Sequence, residues 1–238
     1  MFSFLASFFN TILYRPLFNL LILIYNYLPG HDFGLAIIIL TLIIRIILYP
    51  LSIKAIKSQR VLQKLQPQLE AIQKKYKNDK EKLTKETLDI YKKDKINPFS
   101  GLLLTIIQLP ILIALYRVFW RGLDSDELKN LYSFITNPSH INSISFSLID
   151  LGKPNFTLAI LAGIFQFWQT KMLLPKQNKN QPKSSSTSAI MQKQMVYIFP
   201  ILTVVILLKL PSALGLYWLA TSVFSIAQQY FILKKIER

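Results

Sequence analysis

Apolar residues dominate five stretches of the chain, 34–53, 100–121, 156–174, 195–210 and 214–233. A helix needs about 20 such residues to cross a bilayer at 1.5 Å rise per residue. The pattern therefore predicts an all-α integral membrane protein with five transmembrane helices. The fourth stretch is short, and Pro211-Ser212-Ala213 leaves almost no loop, so the last two should form a tight helical hairpin. No Asp or Glu lies inside any of the five, and Arg45 is the one charge near the middle of a stretch.

The N-terminal segment, 1–33, is apolar but patterned differently. It lacks a basic leading region, which argues against a cleaved secretory signal. Pro16 suits the first turn of a helix, which leaves 17–28, about 18 Å of helix, too short to cross a hydrocarbon core of about 30 Å. Thr11, Arg15, Asn19 and Asn26 form a polar stripe opposite Leu17, Leu20, Leu21 and Ile24. The expectation is an amphipathic helix lying flat in the interface; the alternative is a sixth span.

Between the first two spans the period changes. Leu62, Leu65, Leu69, Ile72 and Tyr76 recur at three- and four-residue spacing, one apolar stripe of an amphipathic helix. Asn78 followed by Glu81 reads as the start of a second helix over about 79–94, with Leu83, Ile90 and Tyr91 inward. Residues 54–99 thus read as a cytosolic helical hairpin, or else as a solvated charged loop. The external loop 122–155 suggests one short helix before Asn137-Pro138, and 175–194 reads as a polar cytosolic linker.

Composition changes the picture by exclusion. Hydrophobic residues make up 52% of the 238, and there is no cysteine. Thiol catalysis, thiolate zinc sites and cysteine-borne lipid anchors are ruled out. His31 and His140 are too few and too far apart in sequence for a histidine metal site. No catalytic constellation, nucleotide-binding motif or cofactor motif is legible, so a non-enzymatic role is expected.

The formal charge of +16 could mark a nucleic-acid binder, so its placement decides. Thirteen Lys/Arg fall in 52–99, five in 171–194 and three after 233. The positive-inside rule then places the hairpin, the linker and the C-terminus in the cytosol and the N-terminus outside. Topology and attraction to the membrane surface account for most of the charge, with no direct nucleic-acid function required.

Polar residues inside the spans fall on helical faces. The first span gives Thr41, Arg45 and Ser52; the second Gly101, Thr105 and Gln108; the third Gly163, Gln166 and Gln169; the fifth Tyr217, Thr221, Ser225 and Gln228. Facing lipid, these would strand donors and acceptors in hydrocarbon. They must face each other or a water-filled cavity. A central arginine costs at least about 2.5–3.5 kcal/mol to insert, and the spans offer it no carboxylate. A hydrated cavity with fixed positive charge is the leading reading; an arginine held by carbonyls and glutamines for packing is the other. The missing carboxylate also argues against a proton-coupled transporter.

At this point the residues resemble a known family, the YidC-type membrane protein insertases of bacteria, with mitochondrial and chloroplast relatives. The likeness is collinear over about 10–233. It runs from Gly34-Leu35-Ala36-Ile37-Ile38 through Thr41, Arg45 and Pro50-Leu51, then Leu65-Gln66-Pro67 leading into the Lys-rich hairpin. It continues with Asn97-Pro98, Gly101, Gln108, Pro110 and Ala114-Leu115-Tyr116, then Gln169-Thr170-Lys171 and Pro200. It closes with Gly215-Leu216-Tyr217-Trp218 and Gln228-Gln229. One departure is Leu102-Leu103-Leu104, where the family often has Cys-Leu-Pro after the glycine. The large external domain of some members, the lipoprotein signal of others and a long basic C-terminal extension are not seen in this sequence.

The resemblance implies a membrane insertase and chaperone of a bacterial cytoplasmic membrane, without covalent chemistry. A hydrophilic groove open to cytosol and lipid would take the polar part of a nascent membrane protein, whose apolar segment then slides into the bilayer. Arg45, Thr41, Gln108, Gln166, Gln169, Tyr217, Trp218 and Thr221 would line that groove, and the hairpin would make first contact with substrate or targeting machinery. Nascent membrane proteins and the lipid bilayer are the implied partners, with the ribosome, a targeting receptor and the Sec translocon as further ones in the family. Two other readings stand beside it: a small solute or ion permease, and a structural subunit of a membrane complex.

Overall fold

The structure, a computed structural model, describes residues 2–93, 100–121, 125–174 and 187–236. It is all-α apart from one small hairpin, as the apolar pattern predicts. The N-terminal helix is longer than Pro16 suggested. Helix α1 (Phe2–Phe9) runs through a π-helical turn (Asn10–Tyr14) into α2 (Arg15–Tyr27) without a break. A proline ring inside a regular helix clashes with the carbonyl four residues back. Here the wide turn, closed by the Arg15 N–H donating to the Asn10 carbonyl, precedes Pro16 and accommodates the ring. Ala6–Tyr27 alone, 22 residues, is long and apolar enough to cross a membrane, so length no longer decides how this segment lies.

Leu28–Asp32 reverses the chain, with Gly30 at φ 75° supplying the left-handed residue. The Asp32 carboxylate accepts from the Leu35 N–H at 2.9 Å and caps α3 (Phe33–Ile47). The first apolar stretch then bends. Its axis turns by 63° at Leu48 and continues as α4 (Tyr49–Lys75), with Pro50 in the first turn. The bend therefore falls five residues before the expected end at 53, where proline can start a helix but not continue one.

Helix α4 is joined by a short turn at 76–79 to α5 (Lys80–Lys93), and the two are in contact. Leu65 is buried and Leu62, Leu69, Ile72 and Tyr76 are half-buried along α4. The cap of α5 is Asp79, whose carboxylate accepts from the Lys82 N–H at 3.0 Å, and not Asn78. Residues 94–99 and the linker stretch 175–186 lie outside the described residues.

Four further elements complete the bundle: α6 (Ser100–Arg121), α7 (Phe156–Met172), α8 (Thr187–Leu207) and α9 (Ser212–Ile236). Helix α9 packs against α3, α4, α6, α7 and α8, which makes it the hub. Gly163 belongs to packing and not to a polar face, because a β-carbon there would collide with Val204 Cγ2 of α8. Between α6 and α7 lie a 3-10 turn (Ser125–Asn130) and a two-stranded antiparallel hairpin, β1 (Ile144–Ser145) and β2 (Ile149–Asp150). The core gathers Phe18, Leu21 and Ile22 with Phe33, Ile37, Leu40, Leu115, Val118 and Phe119.

Candidate functional site

The bundle has two ends, a loop end built by residues 125–155 and a hairpin end built by α4 and α5. Polar side chains gather between them on α3, α6, α7 and α9. Arg45 sits one turn before the bend of α3, is 9% exposed, and its Nε has no hydrogen-bond partner among the described residues. Tyr217 of α9 is close enough to interact with it electrostatically. Gln108 of α6 donates from Nε2 to the Tyr217 hydroxyl at 2.8 Å. One residue on, Trp218 donates from Nε1 to Gln166 Oε1 of α7 at 3.1 Å. These two cross-helix bonds tie α6 and α7 to adjacent residues of the hub, and the first ends on Tyr217, the neighbour of Arg45.

Of the other expected residues, Gln169 and Thr221 are half-buried one turn along their helices from Gln166 and Tyr217. Thr41 differs. It is 1% exposed and its hydroxyl donates to the Ile37 carbonyl of its own helix at 2.7 Å, so it is a core residue of α3 rather than an open one. Ser52 is likewise buried, bonded back to the Leu48 carbonyl at 3.0 Å across the bend.

Toward the hairpin end, α9 carries further polar groups beyond the expected eight. Ser222, Ser225, Gln228 and Gln229 are all buried. Ser222 Oγ, Gln228 Nε2 and Gln229 Oε1 lack partners among the described residues. Such groups cost free energy unless water or another molecule satisfies them. Ser225 and Gln228 were legible as a stripe at helical spacing. Ser222 was not, because it falls beside that stripe.

The loop end is organised in the opposite sense. The polar stripe of the N-terminal helix, expected to face headgroups, instead holds the loop. Tyr14 donates to Glu127 at 2.7 Å, and Arg15 Nε donates to the Asn130 carbonyl at 3.1 Å. Asn19 Nδ2 donates to the carbonyls of Arg15 and Asn130, while its Oδ1 accepts from the Tyr132 N–H at 2.6 Å. Asn26 donates to the Thr136 carbonyl at 2.6 Å. Thr11 and Arg15 of the stripe stay exposed, while Asn19 is buried and Asn26 half-buried. Arg117 of α6 clasps the π-helical turn, donating to Asn10 Oδ1 at 2.8 Å with its guanidinium 4.7 Å from the Tyr14 ring centre.

Asp32 fastens the same end a second time, accepting from the Ser145 hydroxyl and, at 2.6 Å, from the Phe146 N–H. Partial burial works to raise its carboxyl pKa. The bonds from Ser145 and from the Phe146, Leu35 and Gly34 amides outweigh that and hold it below the usual carboxylate range.

His31 and His140 are brought to one cavity of about 440 Å³ at the loop end, together with Tyr25, Tyr27 and Phe134. Among the described residues no three His, Cys, Asp or Glu are placed to hold a metal ion.

Comparison with known proteins agrees with this architecture. The model of a family described as 60Kd inner membrane protein matches residues 23–238. A protein of Fusobacterium nucleatum named membrane protein insertase YidC is 39% identical over 204 residues, covering 86% of this chain and 87% of that protein. One of the same name from Oceanobacillus iheyensis is 35% identical over 210 residues, covering 86% and 76%. A longer one from Chloroherpeton thalassium is 36% identical over 222 residues, which are 92% of this chain and 36% of that protein. Among solved structures, the active YidC insertase with its first transmembrane domain resolved superposes with a TM-score of 0.57 at 30% identity. That match covers 92% of this chain and 46% of the other.

Proposed function

The chain belongs to the 60Kd inner membrane protein family, and from that premise we propose that it inserts membrane proteins through a hydrated groove floored by Arg45. The observation that carries the reading is a buried guanidinium whose Nε has no partner among the described residues, beside two ordered cross-helix pairs. An arginine kept for packing would be saturated by carbonyls or amides, because a lone buried charge is among the costliest groups a fold can hold. Water supplies the missing partners in the resting state. The polar part of a nascent chain replaces that water during insertion, and its path across hydrocarbon is shortened accordingly.

Bond by bond, this chain's residues do the following. Gln108 and Gln166 hold the Tyr217 hydroxyl and the Trp218 indole, so α9 presents a fixed wall. Arg45 supplies charge that attracts acidic residues of a client. The α4–α5 pair stands at the cytosolic mouth, with Gln63 of α4 donating to the Leu173 carbonyl at the end of α7. The loop end closes the outer side. Its bonds from Tyr14, Arg15, Asn19 and Asn26 all reach one loop, which supports a helix lying along the outer surface with the N-terminus outside.

Site-specific photocrosslinkers at Gln108, Gln169 and Thr221, with a short nascent membrane protein stalled during insertion, test the groove. Crosslinks from these positions and none from outward-facing Ile201 are expected. Insertion proceeding with no crosslink at the three positions would overturn the groove. Steady solute flux through proteoliposomes would favour a permease.

A further inference from the structure

The loop between α6 and α7 is external on the proposed topology and would be expected to be polar throughout. Its hairpin is not. Ser145 is fully buried against Asp32, while its strand neighbour Ile144 and the turn residue Phe146 are exposed. Leu148 is 84% exposed, the highest value of any large apolar side chain described, and Phe146 is 50% exposed. Phe156, 68% exposed in the first turn of α7, lies where the same loop rejoins the bundle.

The backbone of this tip is costly for the residues it carries. Phe146 and Ser147 have φ of 52° and 56°, the left-handed region that Gly and Asn occupy readily and a bulky aromatic does not. Tight hairpin loops favour Asn-Gly at such positions. Among the described residues, half of the Phe146 surface is left without a contact to offset that cost.

The tip cannot swing away to hide. Asp32 holds it to the start of α3, and Gly34 leaves room for Ser145 where a β-carbon would collide with it. On the other side, Ser212 donates to the Asp150 carbonyl at 3.0 Å and the Ala213 N–H to the Leu151 carbonyl at 3.1 Å. The hairpin is thus fixed level with the first turns of α3, α7 and α9, where those helices would leave the hydrocarbon. Exposed Lys209 and Lys153, the latter also paired with Asp150 at 3.3 Å, lie on the short segments leading into α9 and α7.

We propose that the 144–148 tip is a fixed wedge seated in the outer leaflet of the bilayer, with Phe146 and Leu148 among the acyl chains and the lysines at the phosphates. The occupant is lipid, because the patch continues the surface that the helices themselves present to the membrane. This rests on the spanning orientation proposed above. The wedge would pin the closing loop to the membrane while a client moves beneath it.

The chain has no cysteine, so single nitroxide labels at Leu148→Cys, Lys129→Cys and Ile201→Cys are clean probes in proteoliposomes. The ratio of oxygen to nickel-chelate accessibility at residue 148 should be several-fold above that at 129 and approach that at 201. It should fall toward the value at 129 in a Phe146→Asn, Ser147→Gly background, which keeps the turn and removes the ring. An aqueous 148 beside a lipid-facing 201 would overturn the wedge and leave the insertase reading standing. An aqueous 201 would overturn both. Dipolar broadening between copies labelled at 148, lost on dilution with unlabelled protein, would assign the patch to a second copy instead.

Discussion

Asn19 and Gln228 are both amides buried on helices of the same bundle, 1% and 5% exposed. Asn19 spends its donor and acceptor on three backbone groups, two of them in the loop at 125–155. Gln228 keeps an Nε2 without a partner among the described residues. The contrast extends to their surroundings. At the loop end, Tyr14, Arg15, Asn26, Asp32 and Arg117 are each bonded to a named group. In the interior and toward the hairpin end, Arg45, Ser222, Gln228 and Gln229 each keep an atom without a partner among the described residues. A satisfied buried polar group fixes a structure, whereas an unsatisfied one keeps affinity for something that comes and goes. On the proposed reading, one end is a closure and the other a working surface.

Arg45 gives the largest expected break in this comparison. Arg45→Ala should accumulate normally, since losing an intramembrane charge relieves an insertion cost, yet insert acidic-tailed clients poorly. Two charges 4 Å apart interact by about 1–4 kcal/mol between bulk water and a protein surface, which makes the defect about fivefold or more. Arg45→Lys keeps the charge without the planar fork and should retain much of the activity. Insertion of matched clients with acidic, neutral and basic tails checks this. Equal handling of acidic and neutral tails by Arg45→Ala would return Arg45 to packing.

Asn19→Leu should act in the opposite way, on stability more than on clients. It leaves the Tyr132 N–H and the Asn130 carbonyl without their partner, at about 1–3 kcal/mol for a buried group left unsatisfied. Hydrogen exchange across 127–142 should rise and thermal stability fall, while dependence on client tail charge stays as in the parent.

Acid separates the two regions without mutation. Asp32 has a folded-state pKa below its ordinary 3.8, so its contribution is complete above that value and is lost as pH falls through the lower, folded one. Exchange protection of the 144–150 hairpin should therefore weaken below about pH 4, and Asp32→Asn should show weaker protection at every pH. Arg45 stays charged across this range, so the inner site should not respond.

The smallest expected effect is Ser222→Ala. Removing a buried hydroxyl whose Oγ lacks a partner among the described residues should be neutral or stabilising by about 1 kcal/mol or less. A thermal midpoint clearly lowered by this change would mean the hydroxyl is satisfied, and the inner end would then resemble the outer one.

What was legible in the sequence was what local pattern controls. Long apolar runs predicted α6 to α9, the Leu62–Tyr76 period predicted the amphipathic face of α4, and a lone Arg45 without a carboxylate pointed to the polar interior. Gln108, Gln166, Tyr217 and Trp218 were named from spacing and family likeness, and the fold joins them in two bonds. Thr41 shares that helical face, yet a face does not say whether the neighbouring helix covers it, and α3 is covered there. Pro16 read as a helix start because proline breaks a regular turn; the π-helical turn that accommodates it is clasped by Arg117, more than a hundred residues away. The stripe Arg15, Asn19 and Asn26 was visible, but an amide on a helix fits a headgroup, water or a carbonyl equally well. Its partners lie 110 to 115 residues further on, where only the folded chain brings them. Periodicity and composition set which helices form, because burial of apolar surface follows the local pattern. Which polar groups are satisfied, and which are left for water or a client, depends on pairings between distant segments, and only the tertiary structure decides those.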